Sequence, residues 1–136
     1  DLNPADVLVL IDPFDPWERF DPDSKTPIEL AAWLASEGYR VCFWYCYDAA
    51  DLRGWARDEI AALAPGIELW CGDVLLPASF IYPDRSGAWG CGIFLANATK
   101  TEVEACEQFG RALERLSAAD LHADNDPPRL SFQVID

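Results

Sequence analysis

Continuous apolar runs alternate with amphipathic segments along this sequence, and the alternation predicts strands and helices in turn. Residues 7–11 form an apolar, β-branched run that is typical of a strand buried on both faces. Four further strands are predicted at 39–47, 67–76, 91–96 and 129–136. The segments between the strands do not share the strand pattern, and the chain shows no internal repeat.

Helix signals fill three of the gaps between these strands. Thr26, Pro27 and Glu29 form a start signal, with a cap, a proline at the first position and a glutamate at the third, for a helix over 28–37. A second helix, capped by Asp48 or Asp51, is predicted to run to about residue 63. A third covers about 101–118, where apolar residues recur at helical spacing after a cap at Asn97 or Thr99.

The resulting order, β-α-β-α-β-β-α-β, predicts a single α/β domain over residues 1–136. The third and fourth strands have no helix between them and are joined by a loop at 77–90, so we expect them to pair antiparallel. A polar linker at 120–128 precedes the last strand. The sheet is therefore expected to be mixed, with an antiparallel edge.

The charge balance restricts the class of ligand. The chain has 10 Lys and Arg against 24 Asp and Glu, a formal net charge of −14. Nucleic-acid binding depends largely on phosphate neutralisation, so we expect none unless a segment outside this chain supplies a basic surface. A ligand of this chain should be small, uncharged or cationic, or should be held by a basic partner segment outside this chain. Because no apolar run approaches the ~20 residues of a membrane helix, we expect no membrane partner.

The five cysteines indicate a reducing environment. They lie at 42, 46, 71, 91 and 106, an odd number without a Cys-x-x-Cys pair. The spacing predicts buried free thiols and no metal site. Such thiols are typical of the cytosol, so a cytoplasmic location is expected.

The loop after the first strand carries the candidate chemistry. Residues 12–27 are rich in Asp and Pro and hold three aromatic residues, Phe14, Trp17 and Phe20. Ligands of open α/β sheets bind beyond the carboxyl ends of the strands, where this loop begins. A carboxylate there can accept hydrogen bonds from an exocyclic amine, and a ring can stack on a flat base. Alternatively, this is a proline-stiffened loop with solvated acids and aromatics that cover the core.

The same loop resembles a known family. A strand followed by Asp12-Pro13-Phe14 is similar to the Asp-Pro-Pro-[Phe/Tyr] motif of class I S-adenosylmethionine-dependent amino-methyltransferases. An aromatic strand at 41–45 and the run from Gly90-x-Gly92 to Asn97 extend the resemblance. Nearly the whole chain resembles, in order and spacing, the C-terminal half of the bacterial methyltransferases that modify an adenine amino group of large-subunit ribosomal RNA.

The resemblance implies a fold, a cofactor and a set of site residues. It implies part of a Rossmann-like sheet, the C-terminal half of a longer domain, and methylation of an amino group on a nucleic-acid base with S-adenosylmethionine. The chain contains no Gly-x-Gly-x-x-Gly loop, so the cofactor site is expected on another segment. We expect residues 7–11 to pair with that segment or with a second copy in a homodimer. The implied catalytic residues are Asp12, Pro13 and Phe14, and the implied substrate contacts are Asp15, Trp17, Phe20 and Asn97.

Two other functions compete with this interpretation. A non-catalytic binding or assembly module would keep the aromatic residues and lack the cofactor loop. A Mg²⁺-dependent hydrolase would use the acidic cluster of residues 12–23, namely Asp12, Asp15, Asp21 and Asp23.

Overall fold

A computed structural model describes residues 2–77, 87–119 and 130–135. Its strands are β1 (Leu8–Ile11), β2 (Arg40–Tyr47), β3 (Leu69–Pro77), β4 (Ala88–Ala96) and β5 (Ser131–Ile135). Its α-helices are α1 (Pro27–Ser36), α2 (Trp55–Leu63) and α3 (Lys100–Ala119). Short 3₁₀ turns occupy Pro4–Asp6 and Ala50–Leu52. The α/β class and the predicted order of elements are confirmed. The predicted linker at 120–128 and most of the predicted loop at 77–90 lie outside the described residues.

The five strands form one mixed sheet in the order β1-β2-β4-β3-β5. β1 pairs parallel with β2, while β4 lies antiparallel between β2 and β3. β5 pairs antiparallel with the outer side of β3. The predicted antiparallel pairing of the third and fourth strands is confirmed, and β5 supplies the antiparallel edge. The insertion of β4 between β2 and β3 was not predicted, because a hairpin turn fixes which strands pair but not on which side the second strand lies.

Helices α1 and α2 cover one face of the sheet and enclose the main core. The core residues alternate along β2, where Val41, Phe43, Tyr45 and Tyr47 are buried. Ile28 of α1 and Ile60 of α2 pack against them in the same cluster. This period of two places successive β2 side chains on opposite faces.

The capping box predicted at the start of α1 is present. The Thr26 side chain accepts a hydrogen bond from the Glu29 amide, and the Glu29 carboxylate accepts one from the Thr26 amide. The start of α2 differs from the prediction, because neither Asp48 nor Asp51 caps it. Gly54 is the N-cap with a left-handed φ of 79°, and it has no side chain to serve as acceptor.

The opposite face of the sheet is covered unevenly. Helix α3 packs over β3 and β5. Leu8 and Leu10 on β1 and Trp44 on β2 share that face and are exposed, Leu10 by 68%. The prediction that β1 is buried on both faces is therefore wrong for the described residues, since α3 lies too far across the sheet to cover it.

Candidate functional site

A cleft opens at the carboxyl ends of β1 and β2, where α/β sheets commonly bind ligands. The loop after β1 forms one wall, and the end of β2 with the start of α2 forms the other. The cleft has a volume of about 480 Å³. We call it the aromatic cleft; its lining residues are Phe14, Asp15, Pro16, Trp17, Cys46, Tyr47, Asp48, Leu52, Trp55 and Glu59.

Two tryptophans form a contiguous aromatic wall in this cleft. The ring centroids of Trp17 and Trp55 are 5.3 Å apart, with 36° between their planes. Behind them, the Tyr45 ring meets Trp55 edge-on at 5.4 Å. The Trp55 indole N–H donates to the Cys46 carbonyl oxygen at 3.4 Å. Trp17 is still 49% exposed, so its ring surface is available to a flat ligand.

Asp15 fixes the loop that presents Trp17. Its carboxylate Oδ1 accepts a hydrogen bond from the Trp17 amide at 2.8 Å. This is the local turn that an Asp side chain makes with the backbone two residues on. The other carboxylate oxygen of Asp15 has no hydrogen-bond partner among the described residues, so it can accept from a ligand amine.

The cleft is acidic as well as aromatic. Asp15, Asp48 and Glu59 all line it, and none of the described residues that line it is Lys or Arg. Such a surface repels phosphate and attracts neutral donors or cations. This local charge has the same sign as the net charge of the whole chain.

A buried carboxylate lies beneath the cleft and anchors the start of α2. Asp73 on β3 is fully buried. It accepts hydrogen bonds from the Tyr45 hydroxyl and from the Gly54 amide, the latter at 2.9 Å. The Cys71 thiol donates to it at 3.4 Å. A carboxylate at a helix N-terminus is favoured by the helix dipole, so Asp73 stabilises the start of α2 through the amide of its N-cap residue.

The tyrosine and the thiol in this cluster stay protonated and act as donors. Burial raises the pKa of the Tyr45 hydroxyl far above its usual value, and the neighbouring Cys71 and Asp73 raise it further. Burial, reinforced by Asp73, raises the pKa of the Cys71 thiol to about 12. Because both pKa values are raised, the Tyr45 hydroxyl and the Cys71 thiol keep their protons and can donate hydrogen bonds to Asp73.

The two glycines of the Gly90-x-Gly92 run make room for this arrangement. A Cβ atom at Gly90 would collide with the ring of Tyr47. One at Gly92 would collide with the Asp73 carboxylate and the Tyr45 ring. The tyrosine rings therefore lie directly on the β4 backbone.

The predicted site residues occupy three places. Phe14, Asp15 and Trp17 come together in the aromatic cleft. Asp12, Pro13 and Phe20 line a separate open depression of about 450 Å³ along the free edge of β1. Phe14 and Phe20 are fully exposed, so neither covers the core as the alternative interpretation of the loop required.

Asn97 lies apart from the other predicted residues. It follows β4, whose last residue Ala96 pairs with Val41 at the start of β2. Its side-chain amide donates to the carbonyl oxygens of Ala35 at 2.8 Å and Tyr39 at 2.9 Å, where α1 ends. Its φ of 52° is left-handed, a conformation that Asn tolerates. The structure thus gives Asn97 a role in holding α1 and places it at the opposite end of the sheet from the cleft.

The acids of residues 12–23 do not converge on a common point. Asp15 and Asp21 both accept from backbone amides in local turns, Asp21 from Asp23 at 3.0 Å. Among the residues that the structure describes, no group of three or more His, Cys, Asp or Glu side chains is placed to hold a metal ion. The hydrolase alternative therefore has no ligand set in the described ranges.

Sequence reasoning missed Tyr45, Tyr47, Trp55 and Asp73. The available signal was a charged residue, Asp73, within an otherwise apolar strand and opposite Gly92 on the neighbouring strand. Alternating tyrosines on β2 face this glycine and Gly90. That pattern indicates that the tyrosine side chains pack across the glycines of β4 and approach the buried Asp73.

Comparison with known proteins adds no assignment to this geometry. A scan against models of protein families found no match. A search of curated proteins found no similar chain. In the described part of the chain, no helix combines the length and apolar character needed to cross a membrane.

Proposed function

We propose that this chain is the substrate-binding part of a methyltransferase-like enzyme that acts on an amino group of a planar base. The observation that carries the proposal is the aromatic cleft, which lies beside the Asp12-Pro13 loop at the carboxyl ends of β1 and β2. It combines the two interactions that such a base needs. These are a flat aromatic surface for its ring and carboxylates for its amine.

The residues divide between these two tasks. Trp17 and Trp55 offer the stacking surface, worth about 1–3 kcal/mol per base. Asp15 or Asp48 accepts one hydrogen bond from the exocyclic amine. Asp12, at the end of β1, accepts a hydrogen bond from the target amine and orients it.

The order of the strands supports this placement. The parallel strands β1, β2 and β3 follow one another across the sheet, interrupted only by the antiparallel β4. In doubly wound sheets the second half has the same sequential order, and its first strand pairs with the strand that precedes the glycine-rich loop. The corresponding edge here is the free edge of β1, beside which Asp12 and Pro13 lie.

Among the residues that the structure describes, none forms a site that fits S-adenosylmethionine. The sequence lacks the glycine-rich loop, and the described glycines near the cleft are covered by tyrosine rings. The proposal therefore assigns the cofactor to a segment that pairs with β1, either another part of a longer chain or a partner. Such a segment would also have to supply the basic surface for any nucleic-acid substrate, because this chain carries −14.

A non-catalytic binding module is the second candidate. The observation in its favour is that Asp12 lines a different depression from Asp15 and Trp17. A base held against Trp17 in a binding module needs no contact with Asp12. The two candidates share the cleft and differ only in the role of that residue.

Ligand binding by the full chain tests the shared part of the proposal. We expect adenine and adenosine to quench tryptophan fluorescence saturably, and adenosine monophosphate to bind more weakly because the cleft is acidic. Trp17→Leu should weaken adenosine binding about 5- to 150-fold, which corresponds to the loss of one stacked base. Trp33→Leu is the matched control, because Trp33 is an exposed tryptophan on α1 outside the cleft. Equal effects of the two variants, or no binding of either compound, would refute the proposal.

Asp12→Asn then separates the two candidates. If Asp12 contacts the amine, this variant weakens adenosine binding but not binding of purine riboside, the analogue without the amino group. If the chain is a binding module, both ligands bind Asp12→Asn as they bind the wild type.

A further inference from the structure

Four of the five cysteines lie on the face of the sheet that α1 and α2 do not cover. Cys42 and Cys46 lie on β2, Cys91 on β4 and Cys106 on α3. All five cysteines are free thiols, and Cys46 is exposed. The expectation of buried thiols is confirmed for Cys71. Cys42, Cys91 and Cys106 are only partly buried, and the expectation is wrong for Cys46, because α3 packs over β3 and β5 instead of the end of β2.

Cys46 and Cys91 are direct cross-strand neighbours. The antiparallel register of β2 and β4 pairs Cys46 with Cys91, so both side chains project from the same face. Directly opposed residues in antiparallel strands have Cα atoms about 4.5 or 5.5 Å apart, depending on the type of pair. Both separations fall within the roughly 4.4–6.8 Å that a disulfide spans. The register therefore meets the Cα–Cα condition for a disulfide between these two residues.

The two thiols differ in their access to solvent. Cys46 is exposed, whereas Cys91 is partly covered. Burial raises the pKa of the Cys91 thiol to about 11, with smaller contributions from Cys46 and Asp73. Because Cys46 is exposed, it meets an oxidant in solvent first. The attacking species is the thiolate, so Cys91, which is partly covered and has a raised pKa, reacts second.

We propose that Cys46 and Cys91 form a reversible oxidation site that reacts with small disulfides such as oxidised glutathione. The Cys46 thiolate attacks one sulfur of the small disulfide, forming a mixed disulfide and releasing one thiolate. The Cys91 thiolate then attacks the Cys46 sulfur and releases the second thiolate. The two protein thiols are oxidised to one disulfide, the small disulfide is reduced to two thiols, and the two protons end on those products.

This site adjoins the aromatic cleft. Cys46 lines the cleft, and its carbonyl oxygen holds the Trp55 indole. A bond from Cys46 to β4 ties down the end of β2 that carries this contact. The oxidation site itself depends only on the register of β2 and β4, and it does not require a ligand in the cleft.

Mass spectrometry of the full reduced chain after treatment with oxidised glutathione tests the proposal. We expect a product that has lost two hydrogen atoms and carries no glutathione, and a digest in which the peptides of Cys46 and Cys91 are cross-linked. A stable glutathione adduct on Cys46, a different cysteine pairing, a disulfide-linked dimer or no reaction would each overturn it.

Single variants separate the two steps. Cys91→Ser should stop the reaction at the glutathione adduct on Cys46, and Cys46→Ser should give neither adduct nor cross-link at these positions. Cys42→Ser is the matched control, because Cys42 lies on the same face of β2 but opposite Leu95. This control should form the Cys46–Cys91 cross-link at the wild-type rate, and loss of the cross-link there would contradict the assignment.

Discussion

Removing one hydroxyl from each of two neighbouring tyrosines should give very different losses of stability. Tyr45 and Tyr47 are both buried, 2% and 5% exposed, and both lie over glycines of β4. The Tyr45 hydroxyl donates to the Asp73 carboxylate. The Tyr47 hydroxyl is buried near the same carboxylate, and burial and this charge raise its pKa, but it makes no hydrogen bond of normal geometry to any of the described residues. Tyr→Phe at each position removes the same oxygen and leaves the ring in place.

The expected magnitudes follow from that difference. A hydrogen bond to a charged group contributes about 1.5–3 kcal/mol, and Tyr45→Phe also leaves Asp73 with one donor fewer in a fully buried position. Tyr47→Phe removes a buried polar atom that has lost its water without gaining a partner, so the free energy of unfolding should stay the same or rise by about 1 kcal/mol.

Urea unfolding followed by circular dichroism measures both variants. For an m value of about 2 kcal/mol/M, a loss of 2 kcal/mol lowers the midpoint by about 1 M. We expect that shift for Tyr45→Phe and none, or a small increase, for Tyr47→Phe, with m unchanged in both. Equal losses for the two variants would refute the argument that Tyr45, and not Tyr47, donates a stabilising hydrogen bond to the buried acid.

Three further predictions concern other parts of the molecule. Gly92→Ala should lower the free energy of unfolding by about 1–3 kcal/mol in urea, because the added methyl group collides with Tyr45 and Asp73; a loss below about 0.5 kcal/mol would contradict that packing. The Thr26 backbone amide lowers the pKa of the Glu29 carboxyl below its usual 4.5. The ionised carboxylate therefore stabilises the fold above that pH, and this stabilisation is lost as the pH falls through the lowered pKa. The stability difference between wild type and Glu29→Gln should therefore shrink as the pH falls below 4.5 in an acid titration, and a constant difference would count against it. In gel-shift assays the chain alone should bind neither RNA nor DNA at physiological salt, since it carries −14; tight, salt-sensitive binding would overturn the charge argument.

Local signals predicted the elements whose determinants lie close together in the sequence. The start of α1 depends on Thr26, Pro27 and Glu29, which are neighbours in the chain, and the structure has that capping box. The start of α2 depends on Asp73, nineteen residues beyond Gly54, so no local pattern could identify it. The sequence favours Asp48 and Asp51 as caps only because they lie shortly before α2, whose N-cap is Gly54.

In the candidate site, too, the residues that lie close together in the sequence could be predicted, and those brought in by tertiary packing could not. Phe14, Asp15 and Trp17 belong to one short loop, and their common position in the cleft follows from the end of β1. Trp55 joins them through the packing of α2 on the sheet, which the sequence does not specify. Asn97 was grouped with them through the resemblance, but the antiparallel direction of β4 carries it to the other end of the sheet.

The most direct test of the aromatic cleft is a nuclear magnetic resonance titration of the ¹⁵N-labelled chain with adenosine. The indole N–H signals of its tryptophans report separately on the two cleft residues, Trp17 and Trp55, and on Trp33 and Trp44, which lie outside the cleft. The account predicts saturable shifts of the Trp17 and Trp55 signals at one common dissociation constant, with Trp33 and Trp44 unmoved. Shifts at Trp33 or Trp44 without any at Trp17 and Trp55, or no shift at any tryptophan, would contradict it.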